Sequence, residues 1–359
     1  MGALGLTEAS DLASALLEYY IKKGPLMQTI QERPLLSMLE GGKETFPAGK
    51  DKISKSVQGT VMSDTAGFFA GYAEDDALVF QQPDNLLRAE FSWYEVNAGL
   101  KISWTEMKKD GLTVTNNNKM SEHANADAVR IAGSLFKARI SNFVESWARS
   151  MNSMLWADGS QDAKQIPGVL SIITDVPNAG LTGGLERATY SWWRHRARLG
   201  ALAATANTGP KIAASATDQT LTKTLRSELR QLRRYGGRPN KVLCGSDFIA
   251  ALELEVHEKG SYTVEGFTNK GKTDLGMANI SLAGLGTFEY DPTLDTIGYS
   301  KRAYVFDTRH LKLMPMAGEE NKLLEPERPY NYAAYFRSMT YTGALCADQL
   351  NCHGVYEVA

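Results

Sequence analysis

The sequence predicts an α+β fold that contains one helix far longer than a globular domain normally needs. Three observations lead to this expectation. Residues 120–157 have the apolar periodicity of a single helix, residues 43–104 have the pattern of a long β-hairpin, and residues 218–256 alternate helix, strand and helix. The chain therefore combines helices and strands, and we expect an α+β protein.

The long helix is predicted over residues 120–157, which contain no proline and only Gly133 as an internal glycine. Apolar residues recur there mostly every three to five positions and share one face. Asp158 and Gly159 supply the stop. At 1.5 Å per residue the helix is roughly 55 Å long, so we expect a strut in a flat or elongated molecule. The drifting spacing disfavours a coiled coil, and charged residues on the other face exclude a membrane span.

The hairpin combines a strand around Ile53 and Val57 with an alternating return strand over residues 87–104. The alternation changes parity between Trp93 and Val96, which predicts a bulge. Between the strands lies a long tip rich in glycine and acidic residues. Because a two-stranded hairpin is marginally stable alone, we expect this one to lie on another copy of the protein.

Shorter helices and strands are predicted before the hairpin and after the long helix. Residues 7–40 have the pattern of two short helices broken at Gly24 and Pro25, with a further breaker at Pro34. Such a terminal segment usually needs a partner surface to stay ordered. The remaining predictions are helices at 218–235 and 247–256, and strands at 165–174, 241–245, 280–290, 303–307, 311–316, 330–345 and 354–358.

Composition fits a folded protein made and used in the cytoplasm. The 359 residues are 43% hydrophobic and 22% charged, with a net charge of −2, which argues against a surface that grips nucleic acid everywhere. Three cysteines form no disulfide framework, and the N-terminus lacks the features of a signal peptide.

Motifs that carry chemistry are missing from the sequence. There is no HExxH, GxSxG or GxxxxGK[ST] pattern. Cys346, Cys352 and His353 lack a CxxC pair and a fourth ligand, so we interpret them as strand residues. The acidic run 74–76 is interpreted as a solvated loop tip and the glycine pair of 284–286 as a turn. We therefore expect no catalytic residue, cofactor or metal.

The strongest candidate for recognition is the segment 187–198, which is rich in arginine and tryptophan. These residue types are enriched where protein interfaces carry their binding energy, and they also serve on single-stranded nucleic acid. The net charge of −2 favours contact with protein over contact with nucleic acid. The candidate contact residues between subunits are Trp192, Trp193, Arg194, Arg196 and Arg198, with Phe68 and Phe69 in the hairpin tip.

The order of these elements resembles that of tailed-bacteriophage major capsid proteins of the Hong Kong 97 type, over nearly the whole chain. MLWADGSQDAKQIPGVLSI (154–172) resembles the helix end of that family, and NKVLCGSDFIAALEL (240–254) resembles a strand-to-helix segment of its axial domain. ISLAGLGTFEYDP (280–292), YVFDTRHLKL (304–313) and YFRSMTYTGALC (335–346) resemble its later strands.

The resemblance implies a Hong Kong 97-like major capsid fold. Its expected parts are an N-terminal arm (1–42), an E-loop hairpin (43–104), a P-domain with the spine helix (105–169), an A-domain (170–300) and further P-domain strands (301–359). It also implies a structural protein without enzymatic activity. Such subunits assemble as pentamers and hexamers into an icosahedral phage head that encloses double-stranded DNA.

Partners and location follow from the same resemblance. We expect self-contacts, a portal, packaged double-stranded DNA held non-specifically, and no membrane. No long extension precedes the arm, so a separate scaffolding protein is expected. The expected place is the virion, with assembly in the host bacterial cytoplasm.

Two rival interpretations remain open at this stage. An encapsulin-type compartment shell would have the same fold, and would hold protein cargo in place of DNA. A cytoplasmic α+β oligomeric enzyme would use an anion site near Arg194, although the sequence has no nucleophile, metal or phosphate motif to complete it.

Overall fold

A computed structural model describes most of the chain. The described residues are 31–59, 68–78, 80, 86–103, 105, 126–200, 207–215, 217–258, 281–282, 284–324 and 332–359. The predicted helical segment before residue 31, the first residues of the predicted long helix and parts of the hairpin tip lie outside this set.

Helices and strands are interspersed along the described chain. The helices are α1 (Pro34–Gly41), α2 (Ala126–Trp156), α3 (Val169–Ile172), α4 (Thr220–Leu232), α5 (Ser246–Glu258) and α6 (Pro292–Thr296). The strands are β1 (Lys52–Gln58), β2 (Leu86–Ser92), β3 (Tyr94–Ser103), β4 (Leu181–Thr182), β5 (Leu185–Glu186), β6 (Arg196–Arg198), β7 (Thr208–Gly209), β8 (Lys241–Cys244), β9 (Ser281–Leu282), β10 (Gly286–Tyr290), β11 (Arg302–Phe306), β12 (Leu311–Pro315), β13 (Lys322–Leu323), β14 (Ala334–Ala347) and β15 (Gly354–Glu357).

The long helix is confirmed over the described part of its predicted range. α2 has 31 residues, which corresponds to about 46 Å. It ends at Trp156, and Gly159 adopts a positive φ of 92° two residues after Ala157, as the predicted stop requires.

The chain divides into two compact units. The larger unit consists of Glu32–Val96, Asn152–Glu320 and Thr342–Ala359. The described residues of the smaller unit belong to Asn97–Met151 and Asn321–Tyr341, apart from Gln31.

A mixed sheet organises the larger unit. Its order over the described residues is β7-β6-β15-β11-β8-β10-β9. The pairs β6/β7, β6/β15 and β8/β10 are parallel, whereas β11 is antiparallel to both of its neighbours. The C-terminal strand β15 therefore lies in the interior of the sheet, next to β11.

Two helices cover one face of this sheet. Leu221, Leu225, Leu229 and Leu232 recur at helical spacing on α4 and pack with Phe248 and Leu252 of α5. This core also contains Val242, Cys244, Ala303, Val305, Tyr356 and Val358 from the sheet and its edge. The predicted helix–strand–helix unit is thus confirmed.

A carboxylate from α5 caps α4. Gln219, which precedes α4, has a left-handed backbone and makes no side-chain cap. The buried carboxylate of Glu255 accepts hydrogen bonds from the amides of Leu221 at 2.8 Å and Thr222 at 2.9 Å. Orphan amides at a helix start need acceptors, and a negative charge there also complements the helix dipole.

Aromatic side chains and the end of α2 cover the alternate residues of β11. Tyr304 and Phe306 point away from Ala303 and Val305 because side chains alternate along a strand. Their rings lie 5.1 and 6.3 Å from the ring of Trp156, measured between centroids. Trp156 is fully buried, so the last turn of α2 belongs to the core of the larger unit.

Polar groups beside Trp156 are paired by buried side chains. The indole Nε1 of Trp156 donates to Asp291 Oδ2 at 2.7 Å, and Asp291 Oδ1 caps α6 by accepting from Thr293 N at 2.9 Å. Asn152 donates to Thr293 Oγ1 at 2.7 Å and accepts from Leu36 N at 3.0 Å. Burial raises the pKa of Asp291 although these donors oppose the shift. The network joins α1, α2 and α6.

The hairpin is confirmed by the antiparallel register of β1 and β2, in which Ile53 lies opposite Phe91. The strand breaks at Trp93, within the predicted parity switch, and β3 pairs with β14 instead of continuing along β1. Near its base the hairpin packs through Ile53, Phe91 and Trp93 on a cluster that includes Met314 of β12.

The smaller unit contains Ala126–Met151 of α2, part of β3, β13 and the first part of β14. Lys322 and Leu323 of β13 pair with Thr340 and Met339 of β14. Trp147 of α2 is buried, and its Nε1 donates to Asn321 Oδ1 at 3.0 Å.

One predicted strand is wrong. The sequence predicts a turn and then a strand over residues 165–174, but α3 forms at Val169–Ile172. The amide of Gly168 donates to Ala157 O at 2.9 Å, and a Cβ at Gly168 would lie 2.2 Å from Leu155 O. This close approach turns the chain, and burial of Val169 and Ile172 outweighs the preference of β-branched residues for strands.

Replacing Asp291 by alanine should lower the free energy of unfolding by about 2–4 kcal/mol, because it removes the cap of α6 and leaves the buried Trp156 indole without an acceptor. Urea unfolding followed by tryptophan fluorescence measures the change. Glu253→Ala, at an exposed position of α5, is the control and should change stability by less than about 0.5 kcal/mol. Equal effects of the two substitutions would contradict the role assigned to Asp291.

Candidate interaction surfaces

The candidate segment around residues 192–199 alternates strictly in burial. Trp193, His195, Ala197 and Leu199 are buried, whereas the residues between them are partly exposed. This period of two is that of a strand with one face in the core, and β6 forms within the segment at Arg196–Arg198. The five candidate residues of this segment therefore lie in different environments.

The inward face of the segment belongs to the core of the larger unit. Trp193 is 1% exposed, and its Nε1 donates to Thr182 O at 3.0 Å. His195 is completely buried, and its Nε2 contacts Thr174 O at 2.7 Å, so this nitrogen carries the proton. Burial lowers the pKa of His195 to about 3, which keeps the ring neutral. Trp193 thus packs inside its own subunit.

Arg196 and Arg198 both form ion pairs with one buried carboxylate. Glu228 of α4 is 2% exposed in its side chain and forms ion pairs with both arginines, with Arg198 Nη2 2.7 Å from Glu228 Oε1. Burial alone would raise the pKa of Glu228, but the hydrogen bonds and charges of the two arginines hold it below its ordinary value. The two guanidinium groups therefore fasten α4 to β6.

Trp192 and Arg194 contact other parts of their own chain, Trp192 at the end of β1 that leads into the hairpin tip. The ring of Trp192 packs on the backbone of Gly59, where an added Cβ would lie 1.7 Å from the ring. Arg194 donates from Nε to Arg187 O at 2.5 Å and from Nη2 to Ala188 O at 2.6 Å. Both side chains are partly exposed, so the predicted contact with another copy stays a prediction for them.

The hairpin tip presents apolar side chains to solvent. Phe68 is 46% exposed and Phe69 is 97% exposed. Further along the tip, Tyr72, Leu78 and Phe80 are also exposed, Phe80 by 88%. Monomeric proteins rarely expose several large apolar side chains in one short segment, and such patches commonly mark contacts with other proteins. We refer to the exposed side chains at positions 68, 69, 72, 78 and 80 as the tip patch.

The acidic run in the tip forms a turn. Asp76 N donates to Ala73 O at 3.1 Å, and Ala73 N donates to Asp76 Oδ2 at 2.7 Å. One of the three carboxylates at positions 74–76 therefore serves the backbone of the turn, consistent with the predicted solvated tip.

The cysteine and histidine side chains that could carry chemistry are buried in the protein. Cys346 and Cys352 are buried, and burial raises the pKa of both thiols. His353 is buried, and its pKa falls to about 4 for the same reason. Among the residues that the structure describes, no three His, Cys, Asp or Glu side chains are arranged to hold a metal ion. No helix in the described ranges has the length and apolarity needed to cross a membrane.

Replacing Glu228 by alanine should lower the free energy of unfolding by about 3–5 kcal/mol, because Arg196 and Arg198 would lose their shared counter-charge. Chemical denaturation of the unassembled chain measures this loss. A cost below about 1 kcal/mol, which is the range of an exposed ion pair, would show that the pair does not fasten α4.

The buried histidines should make the fold labile to acid. A histidine whose pKa is depressed by folding binds its proton more readily in the unfolded chain, so stability falls as pH decreases from about 6.5. Between pH 6.5 and 4.5, His195 should account for a loss of roughly 2.5 kcal/mol. Denaturation at several pH values, compared between the unmodified chain and His195→Gln, isolates this share. Parallel pH profiles of the two proteins would contradict it.

Comparison with known proteins gives structural matches alone. No protein-family profile matches the sequence, and no curated protein sequence matches it. A chain of the cyanophage A-1(L) capsid asymmetric unit superposes with a TM-score of 0.63 at 16% identity, over 93% of this chain and 95% of that chain. The capsid of Myoviridae phage XM1 gives 0.53 at 10% identity, over 93% and 95%. The capsid of cyanophage P-SCSP1u gives 0.51 at 11% identity, over 93% and 90%.

These matches run along almost the full length of both chains, so they concern the whole architecture rather than one shared motif. At such low identity, a common fold is what they establish. The mixed helix and sheet arrangement of this chain is the fold of phage capsid subunits.

Proposed function

We propose that this chain is the major capsid protein of a tailed double-stranded-DNA bacteriophage of the Hong Kong 97 type. Copies would assemble as pentamers and hexamers and close an icosahedral head around the DNA. The observation that carries the proposal is the superposition on a phage capsid subunit over 93% of this chain and 95% of the other. A shell built from one repeated subunit uses the same surfaces many times, which suits a chain with an exposed apolar patch at its hairpin tip.

We propose a subdivision of the observed elements that follows the expected domains. We assign α1 to the N-terminal arm (1–42), β1 and β2 to the E-loop (43–104), and α2 to the P-domain as its spine helix. The A-domain (170–300) contains α4 and α5 on their sheet. Because β11 and β15 lie within that sheet, we extend the A-domain to include these strands from the segment 301–359.

Contact between copies is assigned first to the tip patch. Phe69 and Phe80 are almost fully exposed in the isolated chain, and burying each ring would contribute about 1.5–3 kcal/mol. The adjacent carboxylates at 74–76 keep the tip soluble before assembly. Trp192 supports this contact indirectly by packing on Gly59, where β1 leads into the tip. Trp193 and Arg194 do so by hydrogen bonds to backbone carbonyls of their own chain, and Arg196 and Arg198 by fastening α4 to β6.

A structural, non-enzymatic role is supported by how the reactive residues are used. Arg194, the centre of the alternative anion site, donates hydrogen bonds from Nε and Nη2 to two backbone carbonyls of its own chain. The buried thiols and histidines are uncharged at neutral pH. We further propose a separate scaffolding protein and a portal as partners, and assembly in the host bacterial cytoplasm before packaging of DNA.

The purified full chain should form closed shells visible by negative-stain electron microscopy. Small discrete oligomers under every assembly condition would overturn the proposal. Shells isolated from cells with protein cargo and no DNA would replace it by the compartment-shell alternative.

Removing the tip patch should weaken assembly but not folding. Phe69→Ser/Phe80→Ser should raise the protein concentration needed for shells at least about tenfold, because each lost ring contact is worth 1.4 kcal/mol or more and is repeated in every subunit. Urea unfolding of this variant should match that of the unmodified chain, since both rings are exposed. Leu254→Ser removes an exposed apolar side chain of α5 and is the control, with no change expected. Unimpaired assembly of the double variant would remove the tip patch from the contact.

A further inference from the structure

The exposed side of α4 and its C-terminal extension carries an unusual concentration of positive charge. Between residues 219 and 240 the sequence has six cationic residues and a single acidic one, Glu228. All six cationic side chains are exposed: Lys223, Arg226, Arg230, Arg233, Arg234 and Arg238. We call this set the α4 basic face. The chain as a whole has a net charge of −2, so the positive charge is strongly local.

Acidic groups do not neutralise the α4 basic face within the described part of the chain. Surface helices usually interleave acids and bases at spacings of three and four, which creates stabilising pairs. Here the only acid of α4, Glu228, is buried and paired with Arg196 and Arg198 of β6. Among the described residues, the six exposed cations form no ion pair. Two of them make local contacts, with Arg233 donating to Gly284 O and Arg234 lying over the ring of Tyr235.

The spacing of the charges matches a linear array of anions. Steps of three and four lead from Lys223 through Arg226 to Arg230, so these side chains follow one stripe of α4, and Arg233 and Arg234 follow directly after its last residue. Seven steps of 1.5 Å each give a helical stripe of roughly 10 Å. One strand of B-form DNA presents a phosphate about every 3.4 Å along its axis, so the stripe matches the extent of about three phosphates.

The residue types favour phosphate over protein carboxylate. Five of the six cations are arginines, whose planar forks bind phosphate oxygens through two hydrogen bonds. Thr224 and Ser227 lie between them and add hydroxyl donors of the kind that contact a nucleic-acid backbone. A protein interface of this size would need buried apolar anchors, and Tyr235 is the one large apolar side chain exposed from 220 to 240.

We propose that the α4 basic face binds the phosphate backbone of double-stranded DNA without regard to base sequence. The inference rests on the proposed function, which supplies the DNA, and assigns to one helix the contact that the shell makes with it. The ion pair between Glu228 and β6 is part of the site, because it removes the only carboxylate of α4 from the exposed side.

The test uses the full, unassembled chain and a fluorescent duplex of about 30 base pairs of arbitrary sequence, with anisotropy read from about 50 to about 200 mM salt. Arg226→Gln/Arg230→Gln/Arg234→Gln should weaken binding at least tenfold at the lowest salt. It should also reduce the slope of log affinity against log salt by roughly 3, since each lost phosphate contact removes about 0.9.

A matched control carries the same loss of charge elsewhere. Arg88→Gln/Lys164→Gln/Lys301→Gln removes three exposed cations outside α4 and should alter affinity by less than about twofold. Unchanged binding by the α4 variant, or an equal loss in the control, would overturn the proposal. Polyglutamate that displaces the duplex as well as unlabelled DNA does, charge for charge, would overturn it in favour of an acidic protein partner.

The same proteins separate this inference from the proposed function. Shells that form normally from the α4 variant, while its DNA affinity falls, support both proposals. Shells from a variant with unchanged DNA affinity remove the DNA site alone. A chain that binds DNA through α4 but never forms shells removes the capsid function and leaves the site.

Discussion

The buried polar joint at the end of the long helix is the interaction on which the rest of the larger unit depends. Asn152 and Trp156, one turn apart on α2, pair with Leu36, Thr293 and Asp291, which come from segments far away in sequence. Each of these polar groups is buried or partly buried and would cost about 1–3 kcal/mol if left unpaired. The joint therefore allows one arrangement of α1, α2 and α6, where apolar packing alone would tolerate several.

Two buried carboxylates, Glu255 of α5 and Glu228 of α4 itself, fix the position of α4 in a similar way. Glu255 reaches from α5 to the first amides of α4, and Glu228 reaches from α4 to β6. The first contact fixes where the helix begins, and the second fixes which side faces the sheet. A consequence appears on the far side of α4: with its own acid turned inward, the helix presents cations alone. A packing interaction has thereby created a charged surface.

The sequence predicted those elements whose signal is local. Helical spacing over residues 120–157 and strand alternation in the hairpin are properties of neighbouring residues, and both elements form. The strand expected at 165–174 is wrong because the turn at Gly168 depends on contact with Leu155 and Ala157 in the folded chain. Asp291 before Pro292 is a readable helix start, but no local signal identifies Trp156, 135 positions away, as its second partner.

The candidate surfaces show the same limit in another form. The residue types of 192–198 predicted a contact surface between copies, yet composition could not separate contacts within the subunit from contacts between subunits. In the structure Trp193 points into the core of its own subunit. Arg196 and Arg198 are hydrogen-bonded to Glu228, about thirty positions later in the sequence. In the same way, a net charge of −2 conceals a helix, α4, whose exposed side is cationic, and a hairpin tip that is acidic and apolar. Under the proposed function one of these surfaces would meet other copies and the other would meet DNA, and their separation matters because a surface suited to phosphate repels a second copy of itself.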